Sequence, residues 1–154
     1  MIDLVHIHPM LVHFPIVLFL LGTALAFIAL ARRTDLSGRT CLANAALSAY
    51  VLAAIAAAVT AFFGDIAFDH AVSLGFPKGP LDRHAGFGYT TMWFFIVYAA
   101  FYLYAWWRHI SLARGRGWLW FAVGLVGVAL VLVTAYFGGD LVYRIGVNVA
   151  PVTP

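Results

Sequence analysis

Four long runs of apolar residues limit what this chain can fold into. Each run is long enough to cross about 30 Å of hydrocarbon as a helix of roughly 20 residues; the four cover residues 10–31, 42–63, 87–107 and 118–137. Hydrophobic residues make up 64% of the 154 residues and charged residues only 10%, which is more apolar surface than a soluble domain of this length can bury. The sequence therefore predicts an all-α membrane protein, with residues 1–154 forming one antiparallel four-helix bundle in the lipid bilayer.

The distribution of positive charge predicts the orientation of this bundle. Six of the nine cationic side chains lie in or beside the first and third connections: Arg32, Arg33, Arg39, Arg108, Arg114 and Arg116. The other three, Lys78, Arg83 and Arg144, belong to the opposite side. Because connections rich in Lys and Arg stay in the cytoplasm, we expect both termini outside. The pI of about 9.3 then reflects this cytoplasmic collar of arginines and does not indicate nucleic-acid binding.

The cysteine count removes several kinds of site. Cys41 is the only cysteine in the sequence, so there is no disulfide framework, no thiolate zinc site and no CxxCH motif for covalent haem attachment. Any metal or cofactor site must therefore depend on other donor groups, of which the six histidines are the natural candidates.

A weak internal repeat suggests that one helical hairpin occurs twice. The second apolar run ends in VTAFFGD (residues 59–65) and the fourth in VTAYFGGD (residues 133–140). His13 lies 47 residues before the first of these threonines and His84 lies 50 residues before the second. A tandem duplication would relate the halves by a pseudo-twofold axis along the membrane normal. His13 and His84 would then face each other across that axis.

Two imidazoles at one depth in a four-helix bundle indicate a haem b site. An ionisable residue inside a membrane is a functional candidate, and two neutral imidazoles are a common axial pair for haem iron. We therefore predict that His13 and His84 bind haem b. Residues without a Cβ would let a flat porphyrin lie close to a helix, namely Gly86 and Gly88. Cationic partners for the propionates would be Lys78, Arg83 and Arg144. The second imidazole N–H groups would be bound by Asp65 and Asp140.

Other uses of the histidines remain open. A second haem held by His8 and His70 is one of them, although we expect His70 in an amphipathic stretch beyond the second helix, where a ligand is less well fixed. A haem-free protein that binds copper or zinc through His8, His13 and His84 is another. A structural subunit whose histidines only form hydrogen bonds is a third. Pro15, which cannot donate a hydrogen bond to Leu11, predicts a bend in the first helix.

The chain resembles the DUF2231 family of small bacterial membrane proteins. HPMLVHFPIVLFLLG (residues 8–22) and GGDLVYRIGVNV (residues 138–149) carry the resemblance, which spans nearly the whole chain. It implies a four-helix protein of the bacterial inner membrane with both termini periplasmic. The family pattern marks His8, Pro9, His13, Phe14, Pro15, His84, Gly138, Gly139, Tyr143 and Gly146. Many relatives also carry a histidine where this chain has Ile145, so a second haem that used this position is not expected here.

The resemblance also implies a redox role. Some members are joined to cytochrome or cupredoxin-like modules, so we expect electron transfer between a membrane quinol and a periplasmic cytochrome or cupredoxin. The third helix is aromatic nearly all round. Its surface would meet lipid, a partner subunit of a homo-oligomer, or a cofactor or quinone ring.

The first prediction concerns orientation. A reporter fused after Pro154 should be found in the outer compartment, because the arginine-rich connections retain the opposite side in the cytoplasm. Alkaline phosphatase activity of this fusion, compared with a fusion in the first connection, measures the orientation. Cytoplasmic labelling of the C-terminal fusion would overturn it.

Overall fold

The structure, a computed structural model, describes residues 4–149 and shows an antiparallel helical bundle. The predicted periplasmic ends at residues 1–3 and 150–154 lie outside the described residues. A 3₁₀ turn, Leu4–His6, leads into five α-helices, which are α1 (Ile7–Leu11), α2 (His13–Ala31), α3 (Cys41–Ser73), α4 (Lys78–Trp107) and α5 (Arg114–Tyr143). No strand is present between residues 4 and 149.

The predicted four-helix membrane bundle is confirmed. Four segments are long and apolar enough to cross a membrane, and the first of them, Leu4–Ala31, combines the 3₁₀ turn with α1 and α2. We call the end that carries the connections 32–40 and 108–113 the arginine end. The opposite end, with residues 4–12, 74–77 and 144–149, is the histidine end.

The helices continue beyond the predicted apolar runs at the histidine end. Helix α3 extends to Ser73, so that His70 lies in its last turn and not in a separate amphipathic stretch, as the sequence suggested. A helix satisfies its own backbone hydrogen bonds wherever it meets the membrane surface, and α3 therefore extends past the last run of apolar side chains.

The first span stays helical through the residue that separates its two helices. Helix α1 ends at Leu11 and α2 begins at His13, with Val12 between them. The ring nitrogen of Pro15 carries no hydrogen and cannot donate to the carbonyl of Leu11, so one helical hydrogen bond is missing here. Val12 nevertheless keeps helical backbone angles (φ −55°, ψ −28°), and its N–H binds the carbonyl of His8 at 3.1 Å.

Two stacked phenylalanines form the centre of the core. The rings of Phe19 in α2 and Phe95 in α4 lie 3.9 Å apart and 5° from parallel, and both side chains are almost completely buried. The positions are equivalent in the two halves, because 76 residues separate Phe19 from Phe95 just as they separate His8 from His84.

In each half a glycine packs against a tyrosine ring, but the glycine is on the first helix of one hairpin and on the second helix of the other. In the first hairpin, a Cβ on Gly22 would lie 3.1 Å from the ring of Tyr50; in the second, a Cβ on Gly124 would lie 2.9 Å from the hydroxyl oxygen of Tyr98. Gly22 is equivalent to Tyr98 by the same shift of 76 residues, and Tyr50 is equivalent to Gly124 by a shift of 74. Each hairpin thus contains one tyrosine ring that occupies the space left by a glycine on the neighbouring helix.

One carboxylate joins the two connections at the arginine end. Asp35 accepts hydrogen bonds from the hydroxyl groups of Ser37 (2.7 Å) and Ser111 (2.6 Å) and from the backbone N–H groups of Ser37 and Leu112. Burial acts to raise the pKa of Asp35, but these hydrogen bonds outweigh it and hold the pKa below its usual value. The charged carboxylate of Asp35 therefore holds the connection 32–40 against the connection 108–113.

The close contact at Gly127 gives a prediction about stability. A Cβ on this residue would lie 2.5 Å from the Phe19 ring and 2.6 Å from that of Phe94, and the buried Phe19 ring cannot move because it is stacked on Phe95. Gly127→Ala should lower the free energy of unfolding by about 1–3 kcal/mol, measured by thermal melting in detergent. Gly115→Ala in the same helix, where a Cβ meets no atom within 4 Å, is the control. Equal stability of the two variants would contradict the proposed packing.

Candidate functional site

Two histidine rings lie next to each other inside the histidine end of the bundle. The ring centroids of His8 and His84 are 6.2 Å apart and their planes are inclined by 80°. His8 belongs to α1 and His84 is the seventh residue of α4, and both are only partly exposed. The two side chains thus come from equivalent positions of the two halves.

A backbone carbonyl orients each ring. Nδ1 of His8 lies 3.0 Å from the carbonyl oxygen of Thr60, and Nδ1 of His84 lies 3.2 Å from that of Thr134. A carbonyl only accepts hydrogen bonds, so each Nδ1 carries the hydrogen. In the uncharged form of each ring the lone pair is then on Nε2, which is the nitrogen that a ligand would meet.

A glycine lies against each of these rings. A Cβ on Gly64 would be 3.1 Å from Nδ1 and Cε1 of His8, and a Cβ on Gly138 would be 2.9 Å from Cε1 of His84. Any other residue would push the imidazole away from the carbonyl that holds it. Gly64 and Gly138 occupy the same position of the repeat that ends in Gly-Asp. The sequence contained this signal, but its meaning depends on which side chain lies opposite.

The ring beside His84 belongs to His8 and not to His13, the partner that the sequence suggested. His13 lies five residues after His8, and because five helical residues turn a side chain by about 140°, the two imidazoles point in different directions. His13 is exposed, although it still lines the cavity described below. In the shift of 76 residues that relates the halves, His13 corresponds to Tyr89.

The histidine pair lines a cavity of about 560 Å³. Thr60 and Thr134 also line it, and the remaining wall is mostly apolar, with Val12, Ile16, Ala57, Phe68, Met92 and Phe95 among its residues. Its volume lies within the range of 300–1,000 Å³ that is typical of small-molecule and cofactor sites. A few polar groups in an apolar cavity are the usual arrangement for an organic cofactor.

The other predicted cofactor residues are distributed around this cavity. Gly88 lines it, and a Cβ there would meet no atom within 4 Å. Gly86 faces outward. His70 is exposed at the end of α3 and is not among the cavity residues, so the structure does not bring it into a pair with His8.

The three cationic side chains predicted to bind propionates are exposed at the histidine end. Lys78 begins α4, and the guanidinium of Arg83 lies 5.6 Å from the centre of the Phe137 ring. Arg144 forms an ion pair of 3.1 Å with Asp140 one turn earlier in the chain. These cations lie at the correct end of the bundle, but the described contacts do not direct them into the cavity.

The prediction that aspartates orient the imidazoles is wrong. Asp65 instead accepts a hydrogen bond of 2.5 Å from the hydroxyl of Tyr89, and Asp140 pairs with Arg144. Carbonyl oxygens on the same helices lie nearer to the rings because each imidazole extends directly across to the neighbouring helix.

The predicted metal site of His8, His13 and His84 is not formed. Between residues 4 and 149, no group of three or more His, Cys, Asp or Glu side chains is arranged to hold a metal ion. The exposed orientation of His13 accounts for this, because it leaves only two imidazoles together.

Comparison with known proteins identifies a family but no activity. A family whose description reads "Predicted membrane protein (DUF2231)" matches residues 5–151. No curated protein and no solved structure matches the chain.

Adjacent glycines in α5 allow a direct test of the ring contact. Gly138→Ala should displace the His84 ring, shift its side-chain ¹⁵N resonances and lower the free energy of unfolding by about 1–3 kcal/mol. Gly139→Ala is the control, because its Cβ would meet only the Tyr143 ring, at an ordinary contact distance of 3.9 Å. NMR of protein labelled with ¹⁵N-histidine measures the shift. Unchanged resonances in the Gly138 variant would show that the ring does not lie against this glycine.

Proposed function

The chain belongs to the DUF2231 family of predicted membrane proteins, and we propose that it binds haem b between His8 and His84 and transfers electrons. The observation that carries this proposal is the pair of imidazoles, each held at Nδ1 by a backbone carbonyl. Histidines that bind a metal through one ring nitrogen usually donate the other N–H to such an acceptor.

The separation of the two rings supports this assignment. If both Nε2 atoms faced one metal atom from opposite sides, two bonds of about 2.1 Å and two distances of about 1.2 Å from nitrogen to ring centre would separate the centroids by about 6.6 Å. The observed distance is 6.2 Å. His8 therefore takes the place that the sequence suggested for His13.

The surroundings suit a porphyrin better than a bare ion. A two-coordinate copper(I) ion would fit the same pair of imidazoles, and this is the second candidate. The cavity of about 560 Å³ is many times larger than an ion requires, and its wall is apolar. Cations of the histidine end, Lys78, Arg83 and Arg144, are long enough to turn toward propionates at the cavity mouth.

The residues of the chain would hold and insulate the group. Haem iron bound by two histidines supplies one-electron chemistry. The carbonyls of Thr60 and Thr134 fix both rings and make their free nitrogens more basic. We propose a membrane quinol as the electron donor and a cytochrome or cupredoxin as the acceptor. The proposal places the protein in the bacterial inner membrane with both termini periplasmic.

The test is spectroscopic. Detergent-purified protein should give a pyridine haemochrome of haem b and a low-spin spectrum. His8→Ala or His84→Ala should abolish that spectrum or convert it to high spin, because one of the two histidines that would hold the haem is then missing. The controls His6→Ala and His109→Ala should leave it unchanged.

The variant His13→Ala separates the two possible pairs. Retention of the low-spin spectrum supports His8 as the ligand, and loss of it would restore the pair suggested by the sequence. A colourless protein that carries one copper ion would favour the second candidate. A protein without haem or copper would overturn both.

A further inference from the structure

The arginine end of the bundle has a cavity of its own, which we call the arginine cavity. Its volume is about 600 Å³, and it lies where the end of α2 meets the beginning of α5. Among the residues that line it are Leu30, Arg33, Ala113, Arg114, Gly115 and Trp118. Neither arginine side chain forms a hydrogen bond or an ion pair within the described residues. Asp35 is the only acidic residue of the two connections, and its carboxylate is already bound by Ser37 and Ser111.

The equivalent place in the other half, where the end of α4 meets the beginning of α3, is filled by side chains. Nε1 of Trp106 donates to the side-chain oxygen of Asn44 at 3.0 Å. The guanidinium of Arg39 lies 4.8 Å from the centre of the Trp106 ring and 3.5 Å from Nε2 of His109. These contacts occupy the space between the two helix ends.

The internal repeat shows why one place is filled and the other is open. Arg33 and His109 are equivalent by the shift of 76 residues and share a left-handed backbone, with φ of 57° and 55°, so the two places are built alike. Two exchanges replace a large side chain by a smaller one, and they are Trp106 for Leu30 and Arg39 for Ala113. Two others put an arginine where the filled place has a weaker base or a hydroxyl, and they are His109 for Arg33 and Thr40 for Arg114. The second half has therefore lost the side chains that fill this place and gained two permanent cations.

The arginine cavity lies at the depth of the lipid headgroups. Helix α2 ends at Ala31 after 19 residues, which is about the length that crosses the hydrocarbon core, and Arg33 follows two residues later. Trp118 is 43% exposed, and its ring lies 6.0 Å from that of Phe27. Exposed tryptophans are typical of the boundary between hydrocarbon and headgroups. The cavity thus has cations beside an aromatic surface that is suited to lipid.

We infer that the arginine cavity binds the headgroup of an anionic phospholipid, whose phosphate accepts hydrogen bonds from Arg33 and Arg114. A guanidinium matches the geometry of phosphate oxygens, and basic pockets between membrane helices bind such headgroups. Trp118 and Phe27 contact the glycerol and the upper part of the acyl chains. This site is independent of the histidine end and of the proposed haem.

The experiment compares neighbouring arginines in the full-length protein. Detergent-purified protein is titrated with phosphatidylglycerol, and native mass spectrometry measures the bound lipid. Arg33→Gln and Arg114→Gln should each weaken binding about tenfold, which is the effect of one charge-assisted hydrogen bond. The matched controls Arg32→Gln and Arg116→Gln remove the same charge from neighbours that do not line the cavity, and they should bind as wild type does. Equal loss in all four variants would overturn the inference, because it would show attraction by the general charge of this end.

A steric variant and two other probes complete the test. Gly115→Leu fills the cavity and keeps both arginines, and a Cβ at this position meets no atom within 4 Å; it should also weaken the binding of phosphatidylglycerol. Phosphatidylcholine, whose ammonium group neutralises its phosphate, and inorganic phosphate should both bind more weakly than phosphatidylglycerol. Full binding by Gly115→Leu, or equal binding of phosphatidylcholine, would overturn the inference. Inorganic phosphate that binds as tightly as the lipid would assign the cavity to a soluble anion and would overturn it as well.

Discussion

Close contact between an aromatic or imidazole ring and a glycine of the neighbouring helix is the interaction on which this bundle depends. Tyr50 lies against Gly22 and Tyr98 against Gly124, while the two histidines lie against Gly64 and Gly138. Lipid chains are as apolar as the helices, so burial in the membrane gives little drive for helices to associate. Van der Waals contact and hydrogen bonds must supply it, and a glycine allows both, because a ring can then approach the opposite backbone closely enough to bond to its carbonyl.

The same contact explains how the bundle accommodates two imidazoles beside each other. An imidazole inside a membrane bundle is costly unless it is paired, and here the neighbouring helix satisfies Nδ1 while it leaves Nε2 available. The apolar cavity then adds space beside the free nitrogens. A protein whose histidines served only to join helices would have no need for a cavity of about 560 Å³ at the same place.

The duplicated architecture makes the differences between the halves informative. Equivalent positions carry the same residue at the histidines, the core phenylalanines and the threonines that hold the rings. At one pair of equivalent positions the halves differ, because Pro15 stands where the second half has Thr91. The hydroxyl of Thr91 lies 2.8 Å from that of Thr134, whereas the hydroxyl of Thr60 has no hydrogen-bond partner among the described residues.

The sequence by itself determined that the chain lies in a lipid bilayer, how many times it crosses the bilayer, and at which end of the helices the candidate histidines lie. Apolar runs of about 20 residues have one stable arrangement in a bilayer, and a histidine in such a run indicates function wherever the helices pack. Only the tertiary structure decided that His8 and not His13 lies beside His84, and that carbonyls and not aspartates orient the rings. The reason is helical geometry, since five residues turn a side chain by about 140° and so separate the directions of two histidines that appear interchangeable in the sequence. Which residue lies against a glycine depends on the register of two helices that are distant in the chain, and the repeat alone did not fix that register.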